Sequence, residues 1–129
     1  MNGNARKWVE ALRSGEFTQA RHTLHTANGD YCCLGVACEI YRRETGDGQW
    51  APPTDGARAF LIERRSAWSY LPPAVQGWLG LRNAEGRFGA GGAATLAALN
   101  DWNYDTLAAI ADVIEQHEAE LFVPEGSDA

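Results

Sequence analysis

The sequence has no apolar run near the roughly 20 residues that a bilayer-spanning helix needs. Its opening residues, Met1 to Lys7, carry charge where a secretory leader would be apolar. Neither membrane insertion nor export is expected, so the chain reads as cytoplasmic. Lysine is almost missing: Lys7 stands alone among 11 Lys and Arg. Residues 101–129 hold no cation and 8 of the 17 acids, so the first hundred residues carry a local balance of +2 inside a net charge of −6. That overall sign excludes a duplex-binding surface, which needs clustered cations against phosphates. Three cysteines, two of them adjacent, cannot supply a paired disulfide framework. No Cys-x-x-Cys pair, no internal repeat and no Walker-type Lys-Ser or Lys-Thr occurs either, which disfavours a zinc knuckle, a solenoid and phosphoryl transfer.

What is present is enough for one ordinary domain. With 129 residues and 45% hydrophobic content, the chain can bury a single core without staples. The densest apolar stretch, Tyr31-Cys32-Cys33-Leu34-Gly35-Val36-Ala37-Cys38-Glu39-Ile40-Tyr41, steps by three and four residues and predicts a core helix. Arg42, Arg43 and Glu44 close it in solvent, and Gly46 supplies the stop. The remaining elements read as packing on this helix. Asn4 is expected to cap a first helix carrying Trp8, Val9 and Leu12. The weak alternation from Phe17 to Thr26 suggests an extended segment that turns at Ala27-Asn28-Gly29-Asp30. Gly46 to Gly56 reads as a long loop pinned by Trp50, and Ala59-Phe60-Leu61-Ile62 fits a strand or one helical turn.

Further along, Pro72 or Pro73 opens a short helix ending at Gly80, and Arg82 to Gly92 is irregular. Thr95 caps a short helix that Asn100-Asp101 breaks. A long helix begins at Asp105 or Thr106 and continues to Leu121. The expected architecture is a small single α+β domain over 1–121, mostly helical with a few short strands, followed by a disordered tail over 122–129. Five tryptophans are many for such a core and leave room for a homo-oligomer.

Several of these words occur together elsewhere. Trp8 with Ala11-Leu12-Arg13-Ser14-Gly15, the Tyr31 to Val36 block with Cys38, Leu71-Pro72 with Trp78-Leu79-Gly80-Leu81, Leu96 with Leu99-Asn100-Asp101, and Ile110 to Glu115 resemble small proteins of bacteriophage and prophage genomes. The Tyr-Cys-Cys-Leu-Gly-Val and Leu-Asn-Asp blocks are the specific ones, and Ala20 and Ala37 stand where that pattern leads one to expect Gly and Leu. The resemblance implies an accessory protein in the host bacterial cytoplasm that binds a host defence factor or sequesters a small phosphorylated signal. No cofactor and no metal site is implied.

Four constellations carry chemistry. The first is a cysteine nucleophile: Cys32 or Cys33 at a helix start, with His22, His25 or His117 as base, would make a cysteine-dependent hydrolase or acyltransferase. Against it stands the ordinary role of such residues as core thiols. The second is a metal, from His22, His25, Cys32, Cys33 and Cys38, whose spacing puts Cys33 and Cys38 on different helix faces. The third is an anion pocket at Gly86-Arg87-Phe88-Gly89-Ala90-Gly91-Gly92, where glycines free backbone amides and Arg87 and Phe88 add charge and stacking. Arg21, Arg42 and Arg43 could join it. The fourth is the corner Asn100-Asp101-Trp102 with Tyr104, where exposed aromatics beside hydrogen-bonding groups make a binding platform; against it stands a structural role, in which Asn100 and Asp101 satisfy orphan backbone groups between two helices. The ligand-binding set expected from the sequence is Arg21, Arg87, Phe88, Asn100, Asp101 and Trp102, with no catalytic residue.

Overall fold

A glycine decides how the chain crosses itself. In the computed structural model, which describes residues 1–102 and 105–125, α1 (Gly3–Arg13) and α2 (Cys33–Thr45) pack together, and the segment before α2 runs back over the first turn of α2. A Cβ on Gly35 would lie 1.8 Å from the Leu24 carbonyl oxygen, so only hydrogen fits at that crossing. The Leu24 carbonyl in turn accepts from the Cys32 N–H at 3.2 Å. This approach explains the glycine inside an otherwise bulky apolar run.

Around that crossing α2 is buried on nearly every side, with Cys33, Leu34, Val36, Ala37 and Cys38 fully enclosed. Trp8 of α1 is fully buried and donates its indole N–H to the Cys33 carbonyl at 2.9 Å, tying the two helices at one level. The start of α2 is capped by the Cys32 sulfur, which accepts from Gly35 N at 3.3 Å, and its end by Gly46 in the left-handed region. The first helix begins earlier than the sequence suggests. Asn2, not Asn4, accepts from Ala5 N at 2.8 Å; Asn4 lies inside the helix, and both side-chain amides donate to the Trp78 carbonyl, at 3.2 and 3.0 Å.

The rest of the domain closes around this pair. The helix α3 (Pro73–Leu79) packs on α1 and α2, α4 (Leu96–Asp101) on α2, and α5 (Leu107–Gln116) on α1. The strands are short and antiparallel: β1 (His25–Thr26) pairs with β3 (Ala57–Arg58), β2 (Gln49–Trp50), β4 (Phe60–Ile62) and β5 (Arg65–Ala67) form a three-stranded sheet, and β6 (Arg87–Phe88) pairs with β7 (Ala94–Thr95). The architecture is α+β. No helix is long and apolar enough to cross a membrane, among the described residues.

The segment read over 17–26 as a short strand or extended run forms the strand His25–Thr26 and passes over the start of α2, with Ala20 N bonded to the Tyr31 carbonyl and Leu24 N to the Trp68 carbonyl. Two elements differ from the sequence reading. The glycine-rich stretch after Arg82 is not wholly irregular, because Arg87 and Phe88 form β6. The long C-terminal helix breaks at His117, and α6 (Glu118–Leu121) leaves at a new angle that buries Leu121 and Phe122. Phe122, assigned by sequence to the tail, is only 3% exposed and bridges to Leu81. Residues 126–129 lie outside the described residues.

One carboxylate is buried in this frame. Glu39 accepts from Arg42 Nε and Nη2, Arg43 Nε and the Trp50 indole at 2.7–3.0 Å. Burial pushes its carboxyl up, but the donors Arg42, Trp50 and Arg43 outweigh it and hold the group at about 2. Nearby His25 stacks on Tyr31 at 3.9 Å between ring centroids and meets Trp50 edge-on; burial keeps it below its ordinary value.

Two outcomes are expected. Gly35→Ala, which must displace the Leu24 backbone, costs about 3 kcal/mol or prevents folding, read from urea denaturation against a Gly77→Ala control at a site with open space. Stability also declines with acid in two windows. Below pH 6.5 the unfolded chain protonates His25 while the folded chain resists, and from pH 4.5 to about 2 the same holds for Glu39. Denaturation midpoints across pH check this: His25→Asn flattens the upper limb and Glu39→Gln the lower one.

Candidate functional site

Asn100 is fully buried and uses both ends of its amide. Its oxygen accepts from Gln19 Nε2 at 2.8 Å and from Cys33 N at 3.2 Å; its nitrogen donates to the Ala20 carbonyl and to Asp101 Oδ1, both at 2.8 Å. The residue therefore locks α4, the start of α2 and the 19–22 segment into one unit. Its role is structural, and it is not available to a ligand. Asp101 carries the lock outward: Oδ1 also accepts from His22 N at 2.8 Å, and Oδ2 lies 3.8 Å from His22 Nδ1. His22 is held with φ +69°, a conformation rarely adopted by a non-glycine residue, and its ring sits 4.6 Å from the ring of Trp102. Trp102 is 66% exposed. Tyr104 lies outside the described residues, and Arg21 is half-buried in the segment that Asn100 holds.

The glycine-rich candidate is put to other use. Arg87 Nε pairs with Glu85 at 2.9 Å and Nη1 donates to the Gly92 carbonyl at 3.3 Å. Phe88 is buried, with its ring 4.7 Å from that of His117, so it offers no stacking face. The sequence placed Arg87 and Phe88 in one pocket, but alternation along β6 sends their side chains to opposite sides. Arg42 and Arg43 are likewise committed to Glu39, and Arg43 also to Glu16.

The thiols are sealed. Cys32, Cys33 and Cys38 are buried, Cys33 Sγ bonds to the Leu96 carbonyl at 3.7 Å, and burial pushes Cys32 up to about 12 and the other two well above the ordinary range. A nucleophile needs the thiolate, which this environment disfavours. The candidate bases have other partners: His117 bonds to Glu120, His25 stacks on Tyr31, and His22 faces Asp101 and Trp102. Among the described residues no three His, Cys, Asp or Glu side chains gather as a metal-binding group.

A site the sequence reading missed lies on the strap after β5. A cleft of about 650 Å³ is lined by Arg65, Trp68, Ser69, Tyr70, Pro72 and Pro73, among others. Trp68 is 42% and Tyr70 52% exposed. The strap is fixed at its back, where the Trp68 carbonyl accepts from Leu24 N at 2.8 Å and from Thr23 Oγ1 at 3.3 Å, and Leu71 N donates to the Ala84 carbonyl. Ser69 Oγ donates to the His22 carbonyl at 3.4 Å, which connects the cleft to the Asp101–Trp102 corner.

The electrostatics of this strap differ from those of the other strong cations. Lys7, Arg13, Arg42, Arg43 and Arg87 each pair with a carboxylate. The side chains of Arg64 and Arg65 have neither an ion pair nor a hydrogen bond among the described residues. Residues 64–84 contain no acid at all. That gap, with Arg64-Arg65 at its start and Trp68 and Tyr70 two residues apart, is the signal in the sequence that could have located the cleft.

The family described as Domain of unknown function (DUF8296) matches residues 1–118. The chain belongs to it. No curated protein and no solved structure matches the chain. The DUF8296 match takes in the Asn100 lock, the strap and the His22–Trp102 corner, and stops short of Leu121 and Phe122.

Asn100→Ala is expected to cost about 3 kcal/mol, because it strands Cys33 N and the Ala20 carbonyl at once, while Gln19 keeps its bond to the Asp105 carbonyl. Asn100→Asp, which keeps the acceptor but loses the donor, falls near it. Thermal and urea unfolding measure both.

Proposed function

We propose that the protein is a non-enzymatic binding module, a phage or prophage accessory protein of the host bacterial cytoplasm, that sequesters a small phosphorylated, nucleotide-like ligand in the cleft of Arg65, Trp68 and Tyr70. The observation that carries this reading is the meeting, in one acid-free cleft, of a guanidinium with no carboxylate partner and two exposed rings. A guanidinium presents a planar fork of donors matched to phosphate oxygens. A base or other flat ring gains about 1–3 kcal/mol by stacking on an aromatic side chain. Fixed backbone bonds behind Trp68 and Leu71 keep these groups in place before a ligand arrives, which limits the ordering cost of binding.

The sealed thiols support binding rather than acyl transfer. A second reading, docking of a host defence protein, draws on Trp102, whose exposure suits an aromatic anchor at a protein interface.

The test is calorimetric titration with a panel of nucleoside mono-, di- and cyclic phosphates. At least one is expected to bind, with affinity falling about tenfold in Arg65→Ala and in Trp68→Ala while the melting temperature of the unliganded protein stays unchanged. Absence of binding by every member of the panel overturns the nucleotide reading. In that case host-protein capture that is lost in Trp102→Ala would favour the second one.

A further inference from the structure

The cleft and the Trp102 corner are linked through His22. From the cleft, Ser69 Oγ reaches the His22 carbonyl; from the other side, the His22 N–H is held by Asp101 and the His22 ring by Trp102. The two exposed aromatic stations, Trp68 with Tyr70 and Trp102 with His22, are therefore set on either side of one residue whose backbone is bonded in both directions. The His22 and Trp102 rings meet at 63° with centroids 4.6 Å apart, and Trp102 remains 66% exposed. At the far end of the cleft, β4 and β5 turn through Glu63-Arg64, both with positive φ (+52° and +63°), in a two-residue hairpin whose register pairs Ile62 with Arg65. Asn-Gly would suit that turn without strain. The residues present instead project Arg64 beside Arg65, where neither guanidinium has a partner among the described residues.

Resting on the reading of the cleft as a nucleotide pocket, we infer that the surface accepts single-stranded nucleic acid, one base at Trp68 and Tyr70, the phosphate side toward Arg64 and Arg65, and a further base on Trp102. Spaced ring stations beside a short run of unpaired guanidinium groups are the arrangement that tracks a single strand, since every base has a face to stack and the backbone can bend between stations. Duplex is disfavoured on two grounds. Its bases are already stacked inside the helix, and two free arginines on a chain of net charge −6 neutralise few phosphates. Two acids flank the track: Glu63, exposed in the turn beside Arg64, and Asp101, whose Oδ1 is occupied by the His22 and Asn100 donors.

The experiment is fluorescence anisotropy of the full chain with labelled oligothymidylates of one, two, four, eight and twelve nucleotides, and with a twelve-pair duplex. Affinity is expected to rise about tenfold or more between one and four nucleotides and then level off. Trp102→Ala should remove that gain while leaving the single-nucleotide affinity unchanged, whereas Trp68→Ala weakens both. Arg64→Ala with Arg65→Ala should make the slope of log affinity against log salt shallower by about 0.7 for each phosphate that the two guanidinium groups neutralise. Equal affinity for one nucleotide and for twelve, or a Trp102→Ala profile like that of the unaltered protein, overturns this inference and leaves the nucleotide pocket standing. Binding of neither overturns both. Duplex binding as tight as single strand overturns the stacking argument.

Discussion

The buried amide of Asn100 is the constraint on which the rest of the structure depends. A polar side chain shut away from solvent must have its donors and acceptors matched, and Asn100 achieves this only if three segments distant in sequence arrive together: the 19–22 turn, the first residues of α2 and the end of α4. The crossing at Gly35 depends on the same arrangement, since the segment that Asn100 grips continues to Leu24, whose carbonyl rests where a Cβ would be. One side chain thus fixes the register of the cysteine helix and, through Asp101 and His22, the placement of the aromatic corner. An apolar residue at 100 would relieve desolvation but could not specify that register.

Charge is distributed so that structure and recognition use different arginines. Glu39, enclosed between α2 and Trp50, holds Arg42 and Arg43; Arg13 pairs with Asp112 and Glu115 and so joins α1 to α5. These pairs engage three of the eleven cations of the first hundred residues. Arg64 and Arg65, at the tip of a hairpin with two left-handed residues, are left facing solvent beside Trp68 and Tyr70. The positive patch is therefore local, which lets an acidic chain carry the cleft proposed to accept an anion.

Much of the fold was legible because its signals are local. The apolar period from Cys33 to Tyr41, the stop at Gly46, the cap at Thr95 and the end at Gly80 stand as read, and of the paired alternatives the structure takes Pro73 as the first helical residue and Thr106 as the cap. The misreadings share a cause, which is competition from a distant partner. The Asn2 and Asn4 amides are both drawn to the Trp78 carbonyl and only Asn2 also caps the helix, and the last helix breaks so that Leu121 and Phe122 can enter the core. The candidate site was legible only in part. Trp102 was placed on the surface correctly, while Arg87 and Phe88, adjacent and suggestive in sequence, part to opposite sides of β6.

The sequence by itself determined that this is one α+β domain with a cysteine-bearing core helix at its centre, because periodicity, caps and glycine stops act over a few residues and leave their mark in order. Which arginines are free, which aromatics face water and where a cleft opens were decided only by the tertiary structure. Those properties depend on what each side chain meets across the fold: Arg87 meets Glu85 and Gly92, Phe88 meets His117, and Arg65 meets no partner among the described residues. A local pattern can nominate a cation or a ring, but only the folded chain determines whether its partners are already taken.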